Sequence, residues 1–393
     1  METFHFDQIV NRRGTNCIKW DARNGSMDPD CLCFTIADMD FPSPVCIQEA
    51  LQKRVQHPVY GYTYAGEELT EAVAGWLKRR HGAQVEPAWI KPSTGILTGL
   101  AFALRAVTKP GDKVMVFTPV YNPFFNIIEG AGCVLVECPL KKENGAYSID
   151  YGAVEEQMRG GVKAILFCNP HNPAGRVWTR EELSRLADLC VEHNVYFLSD
   201  EAHADFGLFG NSYTPLCTLP QMRALGVSCV SPNKTFNIPA ISIAFLIIPN
   251  EEIYQAASDA LRGVCIMTPP LLSMVAAQAG YNGADAWMDA VNAYIEENSR
   301  LVQSCIAEQM PKIRIAPHEG TYLLWLDISC FGISAQSAAK EMAETCGVQL
   351  SSGHVYRGDG GSHLRFNIAA PRQLLERALE RMLPMYRKYC PED

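Results

Sequence analysis

The chain has 393 residues, 48% hydrophobic and 20% charged, which is enough to bury a large core and long enough for two domains. Its net charge of −9, with no block of like charges, argues against nucleic-acid binding, which needs a basic face. Met1 to Asp7 has neither a basic nor an apolar leader region, and no apolar run, Ala244 to Pro249 included, is long enough to span a bilayer. A cytoplasmic protein with no membrane contact is expected. The cysteines number 15, contain no C-x-x-C pair, and sit in apolar runs such as those around Cys168, Cys190 and Cys229. Buried thiols in a reducing compartment fit that pattern better than a zinc site or a disulfide framework.

In chain order, Ser43-Pro44 reads as a helix start, with Ser43 as N-cap and Pro44 at the first helical position. Glu67 to Arg80 places Leu69, Val73, Trp76 and Leu77 at helical spacing, and Gly82 can end that helix. Ser93-Thr94-Gly95 introduces a largely buried helix from Ile96 to Val107. Strand-like segments follow at Lys113 to Phe117, Cys133 to Val136 and Val162 to Phe167. Thr179 and Glu182 form a capping box opening a helix to about His193, and Val195 to Leu198 is a further strand running into Ser199-Asp200.

Strands alternating with helices imply a three-layer α/β arrangement, a mostly parallel sheet covered on both faces, whose ligands bind at the carboxyl ends of strands. Asn172, Asp200 and Lys234 all fall at such ends. After about residue 285 the texture changes to a long helix from Ala286 to about Gln309, a two-faced strand Tyr322 to Asp327, and a short strand Leu364 to Asn367. This predicts a large domain over 43–285 and a smaller α+β domain from 1–42 and 286–393.

Lys234 follows the apolar run that starts at Val227. A lysine at the end of a buried strand must be paired or give up its charge, and the neutral amine is a nucleophile or a base. The ordinary alternative is a strand-end lysine reaching to water. Taken singly, Asp200 reads as a loop acid, Asn172 as a turn former between prolines, His203 as a structural histidine and Tyr121 as a core tyrosine. Arg365, inside Leu364-Arg365-Phe366, is costly to bury unless it is paired, which points to a functional partner. No G-x-G-x-x-G or P-loop sequence is present.

Together the pieces resemble a known family. The segments are Ala37-Asp38-Met39-Asp40-Phe41, Tyr60-Gly61-Tyr62-Thr63, Thr118-Pro119-Val120-Tyr121, Asn169-Pro170-His171-Asn172-Pro173, Ser199-Asp200-Glu201-Ala202-His203, Ser231-x-x-Lys234-Thr235-Phe236-Asn237 and Leu364-Arg365-Phe366-Asn367. In that order the chain resembles the pyridoxal-phosphate enzymes of the aspartate-aminotransferase fold (class I/II, fold type I). Within them it is most similar to the cystathionine β-lyase (carbon–sulfur lyase) branch, the MalY/PatB-like proteins.

The resemblance implies pyridoxal 5'-phosphate as cofactor, with Lys234 as the Schiff-base lysine and the base for the substrate Cα proton. Asp200 would pair with the pyridinium, Asn172 with the phenolic oxygen, and Tyr121 would stack on the ring. His203 stands where transaminases of this fold often carry tyrosine. Gly95, Ile96 and Leu97 would offer a helix N-terminus to the phosphate, with a hydroxyl from Ser231. Tyr62 would reach the phosphate of a neighbouring subunit, which implies a homodimer. Arg365 would grip the α-carboxylate of a small amino-acid substrate, and the Ala37-Asp38 loop would cover it.

The sequence departs from the branch at Asn233 and Pro239-Ala240, and Ser242 replaces the phosphate-binding arginine of aspartate-type transaminases. The expected reaction is β-elimination from an L-cysteine S-conjugate such as L-cystathionine, giving a thiol, pyruvate and ammonia. An aminotransferase shares the early steps, and a regulatory binding protein retaining the fold is the third reading.

Overall fold

The computed structural model describes residues 4–21, 30–266 and 268–391. Seven strands form one sheet in the order Ile90–Ser93, Ala244–Ile247, Gly226–Val230, Tyr196–Asp200, Val162–Cys168, Lys113–Val116 and Val134–Glu137. Ala244–Ile247 runs antiparallel to both neighbours, and the other pairings are parallel. The central strands are apolar on both sides because helices cover both faces. Alternation along Val162–Cys168 sends Ile165 and Phe167 to one core with Trp178, Leu183 and Leu186. It sends Ala164, Leu166 and Cys168 to another with Leu100, Leu104 and Phe124.

The helix Ile96–Val107 has the expected bounds. Glu67–His81 ends at Gly82, whose φ of 64° lets its N–H turn back to the Lys78 carbonyl at 3.1 Å. The Thr179 capping box is present at the start of Arg180–Glu192. One cap differs. Val45–Gln56 starts after Pro44 with no side-chain cap, because the Ser43 hydroxyl donates instead to the Asn237 carbonyl at 2.9 Å. That bond ties the helix to the Lys234 segment.

A second, antiparallel sheet has the order Arg314–Ile315, Leu323–Asp327, His363–Asn367, Ser351–Ser352. Leu324, Leu326, Leu364 and Phe366 pack into one apolar cluster with the helices Asp285–Gln309 and Arg372–Tyr389. Trp325 faces the other way, and so does Arg365, which is opposite it in register. That alternation aims Arg365 back at the large sheet. Among the described residues no helix is long and apolar enough to cross a membrane.

Candidate active site

A cavity of about 750 Å³ opens at the carboxyl ends of the parallel strands. It is lined by Gly95, Ile96, Leu97, Tyr121, Asn172, Asp200, His203, Ser231, Lys234 and Arg365, and by Ala37 from the N-terminal segment. Asp38 and Tyr62 are not in the lining. The charged side chains of the lining are Asp200, Lys234 and Arg365.

Lys234 does not end a strand. It sits on a one-turn helix, Pro232–Thr235, just beyond Gly226–Val230. Ser231 caps that turn by accepting from the Asn233 N–H at 3.1 Å, and Pro232 occupies its first position. The Ser231 hydroxyl also donates to the Ile243 carbonyl at 2.6 Å. Lys234 Nζ donates to the Ala37 carbonyl oxygen. Burial lowers its pKa to about 8; Asp38 and Asp200 work against that shift and Arg365 with it. At pH 7 the neutral amine is about 300-fold more abundant than for an ordinary lysine.

Asp200 ends the strand Tyr196–Asp200 and is 3% exposed. Burial pushes its carboxyl up to about 6, against the Ala202 N–H that donates to it at 3.0 Å. A carboxylate buried at that cost is stabilised by a cationic partner in the cavity. Tyr121 is pushed up to about 12 by burial and by the charge of Asp200, so it stays a neutral phenol. His203 is buried, edge-on to Tyr322 at 5.4 Å between ring centroids, and its Nδ1 has no hydrogen-bond partner among the described residues. Burial, then the charges of Lys234 and Arg365, keep the imidazole neutral.

Arg365 is 5% exposed and donates from Nη1 to Asn172 Oδ1 at 3.0 Å and from Nη2 to the Thr35 carbonyl at 2.6 Å. Its guanidinium lies 5.2 Å from the centre of the Tyr356 ring, and its Nε is buried without a partner. No carboxylate of the described residues is paired with it. A buried guanidinium in that state is a receptor for an anion.

The helix Ile96–Val107 points its N-terminus into the cavity with no side-chain cap. A Cβ built on Gly95 would lie 2.8 Å from Ser242 Oγ, so glycine there keeps the cradle open. An amine that deprotonates readily, a buried carboxylate, an open helix N-terminus and a guanidinium with no carboxylate partner among the described residues fit pyridoxal phosphate and an amino-acid substrate.

Asp38 and Tyr62 do not line this chain's own cavity, and Tyr62 was expected to reach a neighbouring subunit's phosphate. The Asp38 carboxylate turns away from the cavity to Arg12 Nη2 at 2.6 Å and Lys19 Nζ at 3.6 Å. Burial opposes its ionisation, but the Arg12 hydrogen bond and the Lys19 charge outweigh that and hold its pKa below the ordinary range. Tyr62 is fully exposed beside Tyr64 and Leu271. Residues with no motif signal support the site: Thr35, Tyr322 and Tyr356, which meet Arg365 or Ala37 in the folded chain. Asn233 and Ser242, where the sequence departs from the family's pattern, both line the cavity.

The fold and this lysine-centred cavity define a class of enzymes, and the chain belongs to the aminotransferase class I and II family, whose model matches residues 29–382. It is 36% identical to cystathionine beta-lyase PatB of Bacillus subtilis (strain 168), over 96% of this chain and 98% of that protein. It is 31% identical to protein MalY of Escherichia coli (strain K12), over 96% of this chain and 97% of that protein. Cystalysin from Treponema denticola, solved with a pyridoxal 5'-phosphate cofactor, superposes with a TM-score of 0.94 at 30% identity, covering 98% of this chain and 100% of that one.

Proposed function

We propose that the protein is a pyridoxal-phosphate-dependent carbon–sulfur β-lyase acting on L-cysteine S-conjugates such as L-cystathionine. The observation that carries this reading is the placement, in one cavity, of the Lys234 amine beside the Ala37 carbonyl and of a buried Arg365 guanidinium that has no carboxylate partner among the described residues. The likeness to PatB and to the Staphylococcus hominis C-S lyase, at TM-score 0.91 and 29% identity, supports elimination over transamination.

The cofactor supplies an electron sink conjugated to the substrate Cα. The chain's residues supply the rest. Asp200 would hold the proton on the ring nitrogen, Asn172 would orient the ring's oxygen, and Tyr121 would pack on its face. The helix N-terminus at Gly95, Ile96 and Leu97 would receive the phosphate. Arg365 would bind the α-carboxylate and fix the substrate's orientation. Lys234 Nζ would take the Cα proton as the Cβ–S bond breaks with its electron pair on sulfur. The departing thiolate takes a proton, and the three-carbon enamine hydrolyses to pyruvate and ammonia. Neutral His203 beside Lys234 adds no charge that would hold the thiolate back.

A homodimer is part of the reading. Tyr62, with exposed Val59, Tyr60 and Tyr64, forms an aromatic, apolar surface suited to a second copy, where Tyr62 would reach the partner's phosphate. Buried thiols such as Cys168 and Cys190, which burial keeps protonated, suit a cytoplasmic location.

Incubation with L-cystathionine tests the reading. Pyruvate and thiol released without any 2-oxoacid are expected; strict dependence on an added 2-oxoacid would make the protein an aminotransferase.

A further inference from the structure

Residues 35 to 40 form a strap beside the cavity; its first part, Thr35 to Ala37, lines the cavity, and the strap meets the site through its backbone. The Thr35 carbonyl accepts from Arg365, and the Ala37 carbonyl accepts from both Lys234 Nζ and the Tyr322 hydroxyl, the latter at 2.9 Å. The strap has no regular secondary structure, so its position must be set by other groups. Two amides hold it from either side. Asn367 Nδ2 donates to the carbonyls of Ile36 and Asp38, each at 2.7 Å, and Asn237 Nδ2 donates to those of Met39 and Phe41 at 3.0 and 2.8 Å.

The side chains of the strap's two acids meet two cations from the N-terminal segment. Arg12 reaches Asp38 Oδ2 and Asp40 Oδ1, each at 2.6 Å. Lys19 Nζ lies 2.5 Å from Asp40 Oδ2 and 3.6 Å from Asp38 Oδ1. The Lys19 side chain is 0% exposed, and the partners described for it all belong to the strap. Two positive and two negative charges thus form a closed neutral set against the outer side of the strap. Removing one member leaves an uncompensated buried charge, which a structure tolerates only by moving.

We propose that Lys19 and Arg12 are positioning residues for the reaction: by pairing with Asp38 and Asp40 they fix the strap whose carbonyls hold Arg365 and Lys234. The proposal rests on reading those two as the carboxylate-binding group and the reactive amine. It separates the work of Asp38 from substrate contact. The carboxylate anchors the strap, and the neighbouring Ala37 carbonyl meets the site.

The test compares holoenzymes of wild type, Lys19→Met, Asp40→Asn and the Lys19→Met/Asp40→Asn pair. Each single variant unbalances the set, and the pair restores neutrality. Readouts are KM and kcat with S-methyl-L-cysteine, and backbone hydrogen exchange of residues 35–41 against strand 196–200 as internal reference. In Lys19→Met, KM should rise about tenfold as Arg365 loses its Thr35 anchor, and kcat should fall severalfold as Lys234 loses its Ala37 anchor. Exchange of 35–41 should quicken while 196–200 stays protected, and the paired variant should return both readouts to near wild type.

Single variants with wild-type KM and wild-type exchange at 35–41 overturn the proposal. So does general loss of protection without a KM change, or a paired variant no better than the singles. If Lys19→Met does not fold, Arg12→Gln at the partly exposed rim of the set should raise KM about threefold, and a wild-type KM there overturns the proposal. If wild type releases no pyruvate from any S-conjugate, the lyase reading fails, while exchange and its rescue still decide the strap.

Discussion

Arg365 donates from Nη1 to Asn172 Oδ1 at 3.0 Å, and this bond joins the two sheets across the cavity. Arg365 comes from the antiparallel sheet and Asn172 from the loop after Val162–Cys168. The guanidinium is therefore oriented before any ligand arrives, by Asn172, by the Thr35 carbonyl and by the Tyr356 ring. A group oriented in advance loses little freedom on binding, which is how a site favours one substrate geometry.

Arg365→Lys should therefore cost more than a change of cation suggests. Lysine keeps the charge but cannot hold Asn172, Thr35 and a carboxylate in one plane. Loss of one charge-assisted bond, about 2–3 kcal/mol, predicts a fall in kcat/KM of roughly 30- to 150-fold. Steady-state kinetics check the fall, and the visible spectrum of the bound cofactor should be unchanged. A kcat/KM within threefold of wild type would remove Arg365 from carboxylate binding.

The half-buried amine of Lys234 sets a pH dependence. Burial disfavours the ammonium, so the neutral, nucleophilic form dominates above about pH 8 rather than above the ordinary 10.5. The rate at which cofactor-free protein captures pyridoxal phosphate should rise with pH through about 8 and then level. Stopped-flow absorbance measures it. A rate still climbing at pH 10 would show a lysine with ordinary basicity. Lys234→Ala should abolish the absorbance of the covalent adduct at every pH.

Most local patterns were legible in the sequence; the Ser43 cap was not, because its hydroxyl goes to the Asn237 carbonyl, 194 residues away. The Ile96–Val107 helix, the Gly82 stop and the Thr179 capping box are local patterns, and all three are present. Lys234 on a helical turn was also legible, because Ser231-Pro232 is itself a helix-start signal, but the apolar run before it drew the residue into a strand. The direction of the Asp38 side chain was not legible. It depends on Arg12 and Lys19, 26 and 19 residues away, and a one-chain motif carries no sign of which face of a strap its acids take. Tyr322 was hidden for the same reason: its neighbours His203 and Ala37 come from distant segments.

The capping box yields a stability prediction. The Thr179 hydroxyl accepts from the Glu182 N–H at 3.2 Å, and Glu182 accepts from the Thr179 N–H at 2.9 Å while also pairing with Arg176 at 2.7 Å. Thr179→Ala removes one half of the box, so unfolding free energy should fall by about 1 kcal/mol. Denaturant unfolding measures it, and kcat/KM should be unaltered because no atom of Thr179 lines the cavity.

Tyr62 gives the sharpest test of the dimer. In a single chain its ring is fully exposed, so Tyr62→Phe should then change neither stability nor cofactor affinity. If the hydroxyl reaches the partner's phosphate, the same substitution removes a charge-assisted hydrogen bond, and pyridoxal phosphate should bind about tenfold more weakly. Equilibrium dialysis of the cofactor, alongside sedimentation to fix the oligomeric state, separates the cases. A dimer with weakened cofactor binding supports a shared site, because a surface hydroxyl with no partner has no other route to the cofactor. Wild-type affinity in the variant, or full activity in a monomer, would leave each cavity complete within its own chain.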